Sequence, residues 1–232
     1  MTLSAAFLSR PFAHRGLHDR GRGVIENSRA AFDAAVAAGY GIELDVQYSA
    51  DGIPVVFHDH TLDRLTEGTG AVSAKTAMEL GQLQLQGSTD TILPLAIVLD
   101  RIDGRVPVLV EIKTQPTLAL AQAVGEVLAG RNAPLAAMSF DPASIHALDG
   151  LNHPRGLTTD ADTVQAYPLD DSWTPGLSFI SHDHLTLDHP AVTAARSKGA
   201  SVLCWTIRSQ VDADRALACA DQITFEGFRP GP

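Results

Sequence analysis

Two histidines stand next to charged residues where predicted strands end. His14 and Arg15 close the run "FAHR", and His58 and Asp59 close "PVVFHD". An imidazole titrates near neutral pH, so one histidine can accept a proton while a second, protonated histidine donates one. A lone strand histidine is more often a packed or surface residue, but a pair of this kind is typical of acid–base catalysis. We therefore predict His14 and His58 as the catalytic acid and base.

Acidic residues interrupt two apolar strands. Glu43 and Asp45 in "GIELDV" share one face because strand side chains alternate, and Glu111 lies in "VLVEIK". A carboxylate buried among such residues needs a paired charge or a bound cation. Internal salt bridges with Lys113 or Arg15 are one solution. Three convergent carboxylates favour the other, a site for one divalent cation, Mg²⁺ or Ca²⁺.

The basic residues beside these acids suit an anionic substrate. Arg15 can hold an oxyanion in two-pronged geometry, and Lys113 can act as a point charge. A divalent metal, two imidazoles and two cations together suit attack on a phosphate ester. A serine or cysteine nucleophile is not indicated, because the sequence has no G-x-S-x-G motif and neither Cys204 nor Cys219 adjoins a histidine. The two cysteines match no zinc motif and are predicted to be free thiols.

The elements that position these residues alternate between short β-rich runs and alanine-rich helical stretches. This alternation is typical of a parallel sheet with helical crossovers. Nine strands are predicted, one more than an eight-stranded (β/α)₈ TIM-type barrel needs: 11–15, 41–47, 54–58, 107–113, 135–140, 155–159, 177–181, 201–207 and 221–225. Helices are predicted at 27–38, 74–82, 95–103, 117–128, 190–197 and 210–219.

The surplus strand is predicted to form a hairpin after the second strand. The segment between residues 47 and 54 is too short for a parallel crossover and contains Asp51-Gly52, a strong turn signal. If those two residues form the turn, Asp45 lies opposite His58 on one face of the sheet. The acidic cluster and the second histidine are thereby expected in one site.

Bulk properties limit the class of protein. Apolar residues make up 45% of the 232, enough for a full core, and we expect residues 1–232 to form one domain. The polar segment 61–93 is predicted to be a short capping excursion within it. The net charge of −10 and the scattered basic residues argue against nucleic-acid binding. The chain lacks a recognisable signal sequence or a long apolar run, so we expect a cytoplasmic protein without stable membrane insertion.

The ordered motifs resemble a known family. "HRG…EN", "ELDV…DG-x-P-VV-x-HD" and "EIK", followed more weakly by "SF" and "WT", are similar to the glycerophosphodiester phosphodiesterases, which are phospholipase-C-like (β/α)₈ barrels. The resemblance implies metal-dependent hydrolysis of a glycerophosphodiester to glycerol phosphate and an alcohol, a role in lipid metabolism. It implies the same assignments for the acid–base, metal and phosphate-binding residues as above. It adds residues that line the site: Glu26, Asn27 and Trp205, the last equally readable as a core aromatic.

The chain departs from the family pattern at three places. Phe225 occupies the acidic place of a Thr-Asp-x-Pro motif, Arg208 follows "WTI" where asparagine is more usual, and the excursion is shorter than in many relatives. Arg208 could favour a more anionic head group or be a solvated charge at a strand end, and we favour the solvated charge. A cluster at His182, Asp183, His184 and His189 is interpreted as a surface loop rather than as a metal site.

Two alternatives stay open at this point. A phospholipase-C-like or sphingomyelinase-like lyase on the same barrel would cleave the diester by internal attack of a neighbouring hydroxyl. A non-catalytic barrel would bind a phosphorylated ligand without turnover.

Overall fold

The computed structural model describes residues 3–166 and 176–231, and in them eight parallel strands form a closed barrel. The strands are β1 Phe12–Ala13, β2 Gly41–Tyr48, β3 Pro54–Val56, β4 Val108–Ile112, β5 Leu135–Ser139, β6 Arg155–Thr159, β7 Phe179–Asp183, β8 Ser201–Ile207 and β9 Gln222–Phe225. Around the barrel the order is β1-β2-β4-β5-β6-β7-β8-β9, and β9 pairs with β1 to close it. The predicted (β/α)₈ barrel is confirmed.

Helices occupy the crossovers between the strands. They are α1 Ala5–Leu8, α2 Arg29–Ala38, α3 Ala77–Leu80, α4 Leu95–Ile102, α5 Ala119–Leu128, α6 Pro142–His146, α7 Ala161–Ala166, α8 Pro190–Ser197 and α9 Gln210–Leu217. The prediction of a helix over 74–82 was too long, because Thr76 caps the helix by accepting a hydrogen bond from the amide of Glu79. Helices α1, α6 and α7 were not predicted. None of the helices in the described ranges is long and apolar enough to cross a membrane.

The surplus strand forms the predicted hairpin, but the predicted register is wrong. β3 pairs antiparallel with the end of β2, beyond the point where β1 stops, with Val46 opposite Val56. The loop has three residues rather than two, because the amide of Ser49 donates to the carbonyl of Ile53 and Gly52 adopts a left-handed φ of +82°. Asp45 therefore lies opposite Phe57 and not opposite His58, as had been predicted. The register is shifted by one residue.

Apolar side chains fill the lower half of the barrel. Phe12, Leu109 and Phe179 form one buried cluster with residues of α1, which covers this end of the barrel. Gly41 is required beside Phe12, since a Cβ at that position would lie 2.6 Å from the phenyl Cδ1. Leu109 precedes Glu111 by two positions, so the chemistry-bearing residues lie on the same inward face, one layer higher.

The excursion 61–93 folds onto the barrel instead of forming an open loop. Its buried side chains include Leu62, Leu65 and Leu80, and they pack with Val55 and Phe57 from the β3 hairpin. This second core fixes the segment that begins directly after His58, and it thereby places Arg64 at the edge of the site.

Candidate active site

Three carboxylates lie side by side above the apolar floor. Glu43 and Asp45 come from β2 and Glu111 from β4, and strand pairing sets Asp45 directly beside Glu111. All three side chains are buried, and one oxygen of each lies within 4.8 Å of the others. Three carboxylate oxygens at this spacing are a ligand set that a hard divalent cation prefers. The residues present therefore fit the predicted metal.

Two basic side chains only partly compensate this acidic cluster. The Nζ of Lys113 lies 2.6 Å from Asp45 Oδ1 and also contacts Glu111, while Arg15 Nε lies 3.3 Å from Asp45 Oδ2. Burial would raise the pKa of Asp45, but Lys113 and Arg15 outweigh it and hold that pKa well below its usual range. For Glu43, burial and the charges of Asp45 and Glu111 raise the pKa well above its usual value. The internal salt bridges that were the alternative to a metal site therefore form on Asp45 and Glu111. These ion pairs do not include the carboxylate of Glu43.

Arg15 reaches the cavity because β1 ends at Ala13 and the chain then turns sharply. Arg15 has a φ of 56°, its amide donates to Glu43 Oε2 at 3.0 Å, and its Nη1 donates to Glu26 Oε1 at 2.7 Å. The next residue must be glycine: Gly16 has a φ of +79°, and a Cβ there would lie 2.8 Å from the Cβ of Ala31. If the strand had continued, alternation would have placed the side chains of His14 and Arg15 on opposite faces. Because the strand ends before them, both side chains reach the same cavity.

Glu26 and Asn27 support the site from behind. Asn27 Nδ2 donates to Asp45 Oδ2 at 2.8 Å, and the Asn27 amide donates to the carbonyl of Arg15. Glu26 accepts from Arg15 and from both terminal nitrogens of Arg64. Burial opposes ionisation of Glu26, yet Arg64 and Arg15 lower its pKa to about 2. These two residues were expected to line the site, but they contact its members Arg15 and Asp45 instead of the cavity.

Each predicted catalytic histidine has a carboxylate on its Nδ1. His14 Nδ1 lies 2.6 Å from Glu226 Oε2, and its Nε2 lies 3.9 Å from Glu43 Oε2. His58 Nδ1 lies 2.7 Å from Asp59 Oδ1. In both residues the second ring nitrogen, Nε2, is left for a ligand. Burial lowers the pKa of His58, although Asp45 opposes this.

An arginine in turn holds each of these carboxylates. Arg64 donates from Nε and Nη2 to Asp59, at 2.6 and 2.9 Å, while it also binds Glu26. Arg208 donates from Nε to Glu226 Oε1 at 2.8 Å, and its Nη2 forms an ion pair with the same oxygen at 2.5 Å. Arg208 is exposed, as expected, but it forms an ion pair with Glu226 and lies on the wall of the cavity rather than standing as a solvated charge.

The residues meet at a cavity of about 300 Å³ at the carboxyl end of the barrel. Its wall includes an aromatic pair, Trp205 and Phe140, with ring centroids 5.6 Å apart in edge-to-face geometry. Trp205 is half-buried and donates from Nε1 to the carbonyl of Ser181 at 2.8 Å, so its ring is fixed in place. The predicted site residues on this wall are His14, Arg15, Glu43, Asp45, His58, Glu111, Lys113 and Trp205.

The acidic residue near His14 is Glu226, which sequence reasoning missed by examining Phe225. Phe225 is buried and packs edge-on against Tyr40 and Phe228, away from the cavity. Thr224 lines the cavity, and strand alternation would have placed the residue two positions later on the same side. Arg64 was also missed; its signal is that it follows His58 and Asp59 by only a few residues.

The interpretation of the second histidine cluster as a surface loop is wrong for His182. His182 is fully buried at the end of β7, with its ring nitrogens 2.8 Å from Thr159 Oγ1 and 3.1 Å from Thr186 Oγ1. In the described ranges, the acidic trio is the group that could hold a metal. Cys204 and Cys219 are free thiols, as predicted.

Fold and site define a (β/α)₈ barrel with two histidines and three carboxylates that could hold a metal ion at its carboxyl-terminal mouth. The model of the glycerophosphoryl diester phosphodiesterase family matches residues 14–221. The chain therefore belongs to this family.

Individual relatives agree with this assignment. A phosphodiesterase of Oleispira antarctica, solved in complex with the product sn-glycerol-3-phosphate, is 26% identical with a TM-score of 0.77, covering 95% of this chain and 94% of that one. The YhdW protein of Bacillus subtilis strain 168 is 28% identical over 221 residues, 89% of each chain. Human glycerophosphodiester phosphodiesterase 1 is 44% identical over 73 residues, which are 31% of this chain and only 21% of the human protein.

Proposed function

We propose that this chain hydrolyses glycerophosphodiesters to glycerol phosphate and an alcohol. The observation that carries the proposal is the cavity in which His14, His58 and the three carboxylates meet. Each histidine has its Nδ1 on a carboxylate, so its Nε2 can serve a substrate. The sn-glycerol-3-phosphate bound to the Oleispira relative supports this substrate class.

Glu43, Asp45 and Glu111 would hold one divalent cation, Mg²⁺ or Ca²⁺. When bound there, such a cation polarises a phosphoryl oxygen and lowers the pKa of an attacking hydroxyl. Burial and the like charges around Glu43, which raise its pKa, support this assignment, because an added cation would stabilise its ionised form.

The chain's own residues supply binding and proton transfer. Arg15 and Lys113 bind the phosphate oxygens, and Glu26 with Asn27 keeps Arg15 and Asp45 in place. One imidazole accepts the proton of the attacking hydroxyl as the new P–O bond forms. The other donates a proton to the alkoxide that leaves as the ester P–O bond breaks.

The wall formed by Trp205 and Phe140 would pack against the alcohol portion. Both rings face the cavity that contains the acid–base pair, and the hydrogen bond from Trp205 to Ser181 holds the indole plane. Aromatic faces of this kind also attract quaternary ammonium groups, so choline is among the head groups to test first.

We also infer that residues 1–232 act as one domain that includes segment 61–93. The shared core of Leu62, Leu65, Val55 and Phe57 supports this inference. Residues 1–2, 167–175 and 232 lie outside the described residues. A cytoplasmic setting stays a prediction from the sequence.

The test is a panel of glycerophosphodiesters with choline, ethanolamine, glycerol and inositol head groups, assayed with Mg²⁺ and with Ca²⁺. We expect release of at least one alcohol, loss of turnover in EDTA, and recovery with added metal. His14→Ala and His58→Ala should each lower kcat/KM by roughly 10²- to 10⁴-fold. His60→Ala is the matched control, since that exposed side chain lies outside the cavity. No turnover across the whole panel with both metals would contradict the proposal.

The same assay separates hydrolysis from the lyase reaction. A lyase would accumulate a cyclic phosphate by attack of the neighbouring glycerol hydroxyl, and ³¹P NMR detects that product directly. We expect glycerol phosphate without a persistent cyclic species. Binding of glycerol phosphate by the wild-type protein without turnover would indicate the non-catalytic barrel instead.

A further inference from the structure

We infer that Glu226, held by Arg208, is a positioning residue that fixes the tautomer and the orientation of His14. The inference rests on the proposed function, in which His14 exchanges a proton with the substrate. Glu226 itself is not among the residues on the cavity wall, so it would act through the imidazole.

The two oxygens of the Glu226 carboxylate have different partners. Oε2 of Glu226 lies 2.6 Å from His14 Nδ1 and 3.9 Å from His18 Nε2, while Arg208 contacts Oε1 through a hydrogen bond from Nε and an ion pair from Nη2. An ionised carboxylate can only accept hydrogen bonds, so Nδ1 must carry the proton. In the neutral ring, Nε2 is then the acceptor, and this is the nitrogen that points toward the acidic cluster.

The backbone holds Glu226 from both sides. The amide of His14 donates to the carbonyl of Phe225 at 2.9 Å, and the amide of Glu226 donates to the carbonyl of Ile207 at 3.0 Å. Glu226 is therefore tied to the end of β8 through its own amide and to the end of β1 through the preceding carbonyl. Its side chain needs little ordering to meet both His14 and Arg208.

The surroundings of Glu226 favour its charged form. The hydrogen bond from His14, with further contributions from His18 and Arg208, holds the pKa of Glu226 well below its usual value. The carboxylate is therefore ionised over the whole range in which an imidazole titrates. Its side chain is 20% exposed and that of His14 is 16% exposed, so the pair is partly shielded from water.

One ion pair accounts for two of the places where the chain departs from the family pattern, Arg208 and the position of the acid after Phe225. Arg208 is the residue that stands in place of the usual asparagine, and the acid lies one position after Phe225. These residues form one ion pair, and its free carboxylate oxygen serves His14. Phe225 cannot take this role because its ring packs outward against Tyr40 and Phe228.

Kinetics provide the first test, on the full chain with its metal. We expect Glu226→Ala to lower kcat by roughly 10- to 100-fold with KM within about twofold, an effect of the size seen when a supporting partner of a site histidine is lost. Glu226→Gln keeps an oxygen that can accept the Nδ1 proton, so it should recover part of that loss. Arg208→Ala should lower kcat only about two- to fivefold. Its effect on kcat acts through Glu226, so it should not add to the kcat loss of Glu226→Ala in the double variant. Arg208 also lies on the cavity wall, so its removal can change KM independently. Glu126→Gln, an exposed acid on α5, is the control.

The second test reads the tautomer without any turnover. Long-range ¹H–¹⁵N spectra of histidine-labelled protein, assigned by comparison with His14→Gln, should show Nδ1 protonated in the neutral ring of His14. In Glu226→Ala this preference should be lost, while the thermal midpoint of unfolding stays close to that of the wild type. An unchanged tautomer, or a Glu226→Ala variant with wild-type kcat, would overturn the inference. An inactive wild type with the expected tautomer would count against the proposed function alone.

Discussion

Two groups of residues each consist of a histidine, a carboxylate and an arginine, and they differ in how far apart their members lie in the sequence. We call the group of His58, Asp59 and Arg64 the local arm and the group of His14, Glu226 and Arg208 the closure arm. On one side His58, Asp59 and Arg64 come from a single stretch of seven residues, and on the other His14, Arg208 and Glu226 come from three separate strand ends. In both arms an arginine holds a carboxylate that in turn holds Nδ1. A histidine supported by a carboxylate and an arginine can therefore be built locally or by closure of the barrel.

The two arms also differ in the further ion pairs that their arginines form. Arg64 binds Glu26 as well as Asp59, and Glu26 binds Arg15, so this arm is connected to the predicted phosphate ligand. The side chain of Arg208 is 65% exposed, and its ion-pair partner is Glu226. Solvent screening weakens exposed pairs. We expect the local arm to respond more strongly when its arginine is removed.

The largest expected difference is therefore between Arg64→Ala and Arg208→Ala. Arg64→Ala should lower kcat/KM by roughly tenfold or more and raise KM for the diester, because both Asp59 and the Glu26–Arg15 pair lose a partner. Arg208→Ala should lower kcat only about two- to fivefold, because Arg208 acts on His14 through Glu226 and has no contact with the Glu26–Arg15 pair. Steady-state kinetics with one diester measure both effects, and Arg22→Ala, at an exposed surface position, serves as control. Equal losses in the two variants would remove the proposed connection between Arg64 and Arg15.

A smaller effect on activity is expected from loosening the core beneath the local arm. Leu62 is fully buried in the cluster that packs segment 61–93 on the barrel. Leu62→Ala should lower the free energy of unfolding by about 2–5 kcal/mol. Hydrogen exchange should rise in residues 60–66 and not in residues 222–227. Equal increases in both segments would mean that the two arms are not structurally independent.

The smallest expected effect is on the pH dependence of stability. Arg64 lowers the pKa of Asp59, and together with Arg15 it lowers that of Glu26; both reach about 2 against the opposing effect of burial. Because these pKa values are depressed on folding, their contribution to stability is complete above about pH 4.5 and is lost as the pH falls toward 2. Arg64→Ala should therefore flatten the decline in unfolding free energy between pH 5 and 3, measured by urea titration. Arg208→Ala should flatten it less, since His14 is the main cause of the low pKa of Glu226. A steeper decline in Arg64→Ala would contradict this assignment.

Local rules determined much of the molecule directly from the sequence. The period of two in strands placed Glu43 and Asp45 on one face, and the alternation of strands and helices gave the closed barrel. The neighbours His58 and Asp59 predicted a histidine with a charged partner, and the turn signal at Asp51-Gly52 predicted the hairpin. Each of these depends on residues only a few positions apart.

Other features were decided only when the barrel closed. The hairpin register depended on a single left-handed residue in a three-residue loop, which sequence counting cannot distinguish from a two-residue turn. The path of Arg15 depended on contacts with α2 and with Glu43, and the partner of His14 depended on strands more than two hundred residues apart. Periodicity describes which face a residue takes within one element. Which residues face each other across elements depends on closure and packing, and these are properties of the whole fold.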